Sequence, residues 1–168
     1  MPYTVINLGG VAIGVGIILM YLIRWWFKEK KQWAALLPFV LAHLYGMLAA
    51  LATVTAWSLL GLFTWAAIWA ANVAGYAGLV YGVGGHAPDV TRGQPVVLTD
   101  GGFVIVFLFT LAFFALWKWA PRVPNGKLAA GAMSGVCLAL SGAVAGAAAV
   151  PLGSAVNAMG AAFTQALG

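Results

Sequence analysis

Residues 33–85 contain no Asp, Glu, Lys or Arg, and most of them are apolar. At about 1.5 Å per residue, one helix of this length would reach about 80 Å, whereas the hydrocarbon core of a bilayer is about 30 Å thick. The stretch must therefore fold back on itself. Ser58 and Gly61 interrupt the aliphatic residues close to Trp57 and Trp65. Because tryptophan favours the membrane interface, we expect the turn in this region.

The composition of the whole chain indicates a membrane protein. Hydrophobic residues make up 64% and charged residues 7% of the 168 positions, whereas a soluble domain carries about 25% charged residues. A spanning helix needs about 20 residues, so the chain has room for roughly five spans. We therefore predict an all-α fold, a polytopic helical bundle that forms a single domain in the cell (plasma) membrane.

Five predicted spans account for the apolar runs. They lie at about residues 4–27, 33–55, 62–84, 102–120 and 127–150, and Pro151 ends the last one. A polar loop at residues 84–102 separates the third span from the fourth. Residues 152–167 place apolar side chains at helical spacing opposite polar ones, which predicts an amphipathic C-terminal helix. This helix would lie at the membrane surface or pack back against the bundle.

The basic residues set the expected orientation. No Lys or Arg precedes Arg24, and a basic cluster follows the first apolar run, so we place the N-terminus outside. With five spans, the sequence then gives five basic residues on the cytoplasmic side and three on the outer side. If residues 33–85 instead crossed once and included a re-entrant part, both basic clusters would be cytoplasmic. We favour the five-span order.

The predicted fifth span has a face of small residues. Such residues let helix backbones approach closely, and close packing holds helices together in lipid, where the hydrophobic force between helices is small. We therefore predict that this face packs against another helix, either within one chain or between copies of a homo-oligomer. Its residues are Gly131, Gly135, Ala139, Gly142, Gly146 and Ala149.

Polar residues at membrane depth are few, and each has two interpretations. His43 is the ionisable residue nearest the middle of a predicted span. It could line a pore or relay protons, or it could be a neutral side chain hydrogen-bonded to a neighbouring helix, which we favour. Asn72 is a candidate for the same kind of polar contact.

The polar loop contains the charged residues Asp89, Arg92 and Asp100. A charged loop could dock a cytoplasmic partner, or it could be a solvated connector between two spans. We slightly favour the connector.

The sequence gives no sign of enzymatic chemistry. No Asp or Glu falls inside a predicted span, there is no P-loop lysine, and one cysteine with two distant histidines provides no metal-binding spacing. We expect no catalytic residue, metal or cofactor. The net charge of +5 comes mainly from clusters that flank apolar runs. Such clusters attract anionic membrane lipids, so we expect no direct binding of nucleic acid.

From residue 99 onward the chain resembles a known family. An apolar hairpin rich in Ala and Trp is followed by a loop that ends in LTDGGFVIVFLF and then by ALWKWAPRVPNGKLAAGAMSGVCLALSGAVAGAAAVPLGSAVN. This order is similar to the small membrane "spread" (Spd) proteins that are encoded beside the DNA translocase on conjugative plasmids of mycelial actinomycetes. The first hundred residues are similar to them in hydropathy alone.

The resemblance implies a function in moving plasmid DNA between neighbouring hyphal compartments. The protein would act beside a hexameric translocase that performs the ATP-driven work, and it would carry no catalytic residue itself. It would then be a self-associating pore or scaffold. The alternative is a holin-like or export channel that permeabilises the membrane on its own. A small transporter is disfavoured because no charged residue is predicted deep within the membrane.

Overall fold

All regular structure in the described part of the chain is helical, which confirms the predicted all-α class. The computed structural model describes residues 5–55, 58–90, 97–120, 123–141 and 148–167. Residues 7 and 89 form an isolated β-bridge. The helices are α1 (Leu8–Phe27), α2 (Trp33–Thr55), α3 (Leu59–Tyr76), α4 (Asp100–Trp119), α5 (Asn125–Ala139) and α6 (Ala149–Leu167), and a π-helix at Ala77–Gly82 continues α3.

Four segments of the described chain are long and apolar enough to cross a membrane. They are α1, the first twenty residues of α2, α3 together with its π-helical continuation, and α4. Their bounds agree closely with the first four predicted spans. Large apolar side chains remain exposed along them, among them Met20, Phe63 and Phe107, as expected where lipid covers the surface.

Three of these helices begin at a side-chain cap. The side chains of Asn7, Ser58 and Thr99 accept hydrogen bonds from backbone N–H groups in the first turns of α1, α3 and α4, at 2.7, 2.9 and 3.2 Å. Each cap satisfies a donor that the helix itself leaves unpaired. We call the end of the bundle that holds Asn7 and Thr99 the capped end.

Contacts with α5 define the direction of the other helices. Ala35 of α2 lies beside Lys127, and His43 lies beside Ser134, so α2 and α5 run parallel. In contrast, Tyr21 bonds to the carbonyl of Gly126 while Gly14 lies against Cys137, so α1 runs antiparallel to α5. Consequently α1 begins at the capped end, where α2 and α5 finish.

The course of α3 differs from the prediction. It begins next to the end of α2, and its C-terminal part lies against the beginning of α1, where Asn72 bonds to Asn7. Pro88 and Val90 pair with the backbone on either side of Asn7. The C-terminal end of α3 therefore lies at the capped end, where α2 also finishes, and α3 does not lead to the opposite end as the five-span order required. This is the alternative in which residues 33–85 traverse the bundle once.

The predicted fifth span is also corrected. One helix over residues 127–150 was expected, but α5 ends at Ala139 and α6 begins at Ala149. Both the N–H and the hydroxyl of Ser141 bond to the carbonyl of Leu138, three residues back, which competes with the helical pattern. Pro151 lies in the first turn of α6, where proline is tolerated. With 15 residues, α5 spans about 22 Å, less than the hydrocarbon core.

The helices form two units of the same design, α1–α3 and α4–α6. In the first unit, Gly9 of α1 meets Gly75 of α3 so closely that a Cβ on either glycine would overlap the backbone of the other. In the second unit, Gly101 of α4 and Gly160 of α6 make the same contact. Each crossing lies one turn from an asparagine, Asn72 or Asn157, that accepts a bond from the cap residue's own N–H, at 3.0 and 2.9 Å.

The contact between the two units is also symmetric, because each unit contributes a glycine that meets the backbone of the other unit. A Cβ at Gly46 of α2 would overlap the carbonyl of Ala132 in α5, and a Cβ at Gly135 of α5 would overlap the carbonyl of His43 in α2. These reciprocal contacts place a pseudo-twofold axis along the parallel α2–α5 pair. The sequence analysis did not identify this repeat, although VINLGG at residues 5–10 matches VLTDGG at residues 97–102, and NVAG matches NAMG.

Candidate functional site

The small-residue face of α5 packs against α2 of the same chain. A Cβ at Gly131 would lie 2.5 Å from the carbonyl oxygen of Phe39, and one at Gly135 would lie 2.9 Å from the backbone nitrogen of Met47. The contact predicted at Gly135 is thus present and intramolecular. Ala139 and Ala149 are buried in the main hydrophobic cluster, while Gly142 and Gly146 lie outside the described residues.

His43 lies at the middle of the α2–α5 contact. Its Nδ1 atom is 2.8 Å from the hydroxyl of Ser134, and that hydroxyl donates its hydrogen to the carbonyl of Gly131, also at 2.8 Å. Since Ser134 has one hydrogen to give, Nδ1 of His43 must be the donor. This is the geometry of a histidine hydrogen-bonded to a neighbouring helix, the interpretation that the sequence favoured over a proton relay.

Asn72 contacts the segment before α1 and not a passage through the bundle. Its Oδ1 accepts a hydrogen bond from the backbone N–H of Asn7, its Nδ2 donates to the carbonyl of Val5 at 2.8 Å, and its carbonyl accepts from the Asn7 side chain at 3.2 Å. Asn157 does the same in the second unit, donating to the carbonyl of Val97 at 3.0 Å. Both asparagines therefore hold a crossing helix in place.

The opposite end of the bundle contains an ion pair that the sequence analysis missed. The Lys127 ammonium lies 2.5 Å from a Glu29 carboxylate oxygen and donates to the carbonyl of Ala35 at 2.9 Å, while Arg24 is 3.5 Å from the same carboxylate oxygen. The Lys127 side chain is only 8% exposed. The pair joins the α1–α2 connection to the beginning of α5. Its signal in the sequence is Glu29 itself, a lone acid among basic neighbours.

Every Lys and Arg that the structure describes lies at this end, which we call the basic end. Tryptophans accompany them, and the ammonium of Lys31 sits 3.5 Å from the ring centroid of Trp26. Asp89 and Asp100, in contrast, lie at the capped end. The basic residues of this end are Arg24, Lys28, Lys30, Lys31, Lys118 and Lys127.

The three charged loop residues do not form one cluster in the described chain. Asp89 forms the isolated bridge with Asn7, in the first unit. Asp100 is the first residue of α4, in the second unit, where a carboxylate favours the positive end of the helix dipole. Arg92 lies outside the described residues. The two carboxylates thus belong to two separate helix beginnings.

Comparison with protein-family models, curated proteins and solved structures gave no match to this chain. Support for a function therefore comes from the packing of the helices, the distribution of charge in the bundle and the sequence resemblance.

Proposed function

We propose that the protein is a non-enzymatic, self-associating scaffold of the plasma membrane that assists the spread of conjugative plasmid DNA beside a DNA translocase. The resemblance of residues 99–168 to Spd proteins motivates the proposal. The observation that carries the scaffold function is the closed contact between α2 and α5. Gly46, Gly131 and Gly135 bring the two backbones together along the central axis, where a conduit within one chain would run. A conduit would therefore have to form between copies or with a partner.

The charge distribution supports an orientation for this scaffold. Cytoplasmic ends of membrane proteins carry an excess of Lys and Arg, and the described Lys and Arg residues are all at the basic end. We therefore place the basic end in the cytoplasm, where the translocase and the anionic leaflet would meet it. The capped end, with Asp89 and Asp100, then faces outward.

This orientation changes which surface would meet a cytoplasmic partner. The polar loop was a candidate for that contact, but its described residues are at the capped end. Lys28, Lys30 and Lys31 are exposed at the basic end instead. Replacing these three with Gln should reduce recovery of the translocase with the tagged membrane protein at least fivefold, while Asp89→Asn with Asp100→Asn should leave recovery unchanged. Equal recovery from both variants would contradict the assignment of the basic end.

A leakage assay distinguishes the scaffold from the holin-like alternative. The full chain, reconstituted in vesicles of phosphatidylcholine and phosphatidylglycerol, should retain an entrapped dye as well as protein-free vesicles do. In a plasmid-carrying host, loss of the protein should shorten the distance that the plasmid travels through recipient mycelium without abolishing the first transfer. Spontaneous dye release by the wild-type protein would favour the holin-like channel.

A further inference from the structure

A cavity of about 490 Å³ lies between α2, α3, α4 and α5, where the two units meet. It has the size of a small-molecule site. Its lining is almost entirely apolar, and each of the four helices contributes to it. The residues that the argument uses are Tyr45, Phe63, Thr64, Ala67, Thr110 and Met133.

The cavity lies where the internal repeat is broken. In the first unit α1 packs tightly on α5, because Gly14 has no side chain and a Cβ there would lie 2.8 Å from the Cβ of Cys137. The corresponding residue of α4, which would pack in the same way on α2, is Val106. At this position α4 therefore has a buried side chain where α1 has none. Tyr45 and Phe113 belong to the cavity lining, and their rings stack between α2 and α4 with centroids 4.5 Å apart.

The hydroxyl groups of the lining donate their hydrogens within the protein. Thr64 donates to the carbonyl of Leu60 and Thr110 to the carbonyl of Val106, both at 2.8 Å, and Tyr45 donates to Thr110 at 3.3 Å. Water is stable in a cavity that offers it two to four polar partners. These walls instead favour an apolar occupant.

The cavity opens on the flank of the bundle. Leu59, Phe63 and Phe114 belong to its lining and are 78%, 72% and 63% exposed. They lie on α3 and α4, two of the segments that are long and apolar enough to cross a membrane. In a bilayer, hydrocarbon chains would surround this opening.

We propose that the cavity binds one hydrocarbon chain of a membrane phospholipid. The chain enters between α3 and α4 and packs against Ala67, Thr110 and Met133. It fills the space beside the Tyr45–Phe113 stack, between the two units. Van der Waals contact with the apolar walls stabilises it there, and the headgroup remains outside the cavity.

Photolabelling tests this site on the full chain in phosphatidylcholine vesicles. The probe is a phosphatidylcholine with a diazirine on one acyl chain, and mass spectrometry identifies the labelled residues after irradiation. Met133 is recessed within the cavity, and we expect it to be labelled as strongly as the exposed Phe63. Ala67→Phe fills the cavity and should reduce labelling of Met133 at least fivefold. Ala70→Phe makes the same change on the exposed side of α3 and should leave it unchanged.

Labelling of the wild-type protein tests the acyl-chain site even if the Ala67→Phe variant does not fold. Absence of label at Met133, with strong label at Phe63, would overturn the proposal. So would undiminished labelling of Met133 in folded Ala67→Phe protein. Labelling by a diazirine fatty acid but not by the phospholipid would contradict the phospholipid as the occupant.

Discussion

Gly46, Gly131 and Gly135 determine how closely α2 and α5 approach, because in each case the partner backbone occupies the place of a side chain. In a lipid environment this close contact, and the dispersion energy that comes with it, holds the pair together. His43 and Ser134 add a hydrogen bond at the same level. The periodicity of small residues in the sequence predicted this face, but it could not tell which helix covers it.

Gly135→Ala should lower the free energy of unfolding by about 1–3 kcal/mol, since the added methyl overlaps the carbonyl of His43. Gly16→Ala is the matched control: Gly16 is also helical, but no atom lies within 4 Å of a Cβ built there. Alanine favours a helix by up to about 1 kcal/mol over glycine, so the control should be neutral or stabilising. Thermal unfolding in detergent measures both. If the two variants were equally destabilised, the effect of Gly135→Ala could not be attributed to the α2–α5 contact.

At the scale of elements, α3 and α6 are each held by a contact of the same design, which we call a joint. Each joint combines a glycine pair with an asparagine that bonds to the segment preceding a spanning helix. Without Asn72 the N–H of Asn7 would lose its acceptor, and without Asn157 the N–H of Thr99 would lose its acceptor. A typical intramolecular hydrogen bond contributes about 0.5–1.5 kcal/mol to stability. We therefore expect each crossing helix to depend on its own asparagine.

Hydrogen exchange on the purified protein can test this independence. Asn72→Ala should accelerate exchange in residues 5–10 and in the second half of α3, and leave residues 97–102 and α6 at wild-type rates. Asn157→Ala should have the reverse effect, so that each variant is the control for the other. If either variant accelerated exchange equally in both units, the asparagine contacts of the two units would not act independently.

The sequence predicted elements more reliably than their arrangement. Hydropathy and length located α1, α2 and α4 closely, because about 20 apolar residues favour a spanning helix. The break after Ala139 was missed, because Ser141 ends α5 through local bonds to Leu138 within a run that contains no charged residue or proline. The return of α3 was considered as an alternative but was not favoured, for a different reason. Hydropathy gives the length of a helix but not its direction, which here depends on Gly9 and Gly75 meeting across the fold.

At the scale of the whole molecule, the two units give the bundle two chemically different ends. The α1–α2 connection and the beginning of α5 meet at the basic end, where Lys127 and Glu29 pair. The beginnings of α1 and α4 and the end of α3 lie at the capped end. Under the positive-inside rule the separation of charge favours one orientation strongly, whereas the five-span order divided the basic residues between both sides.

Labelling of single cysteines with a membrane-impermeant maleimide in intact cells tests this two-ended arrangement most directly. Val5→Cys and Asp89→Cys report the capped end, and Lys30→Cys and Gly126→Cys report the basic end, each in a Cys137→Ala background. Val5→Cys and Asp89→Cys should both react in intact cells, because Val90 pairs with Ile6 in the folded chain. Lys30→Cys and Gly126→Cys should react only after permeabilisation. Reaction of Val5→Cys and Asp89→Cys from opposite sides of the membrane would contradict the return of α3 and the arrangement built on it.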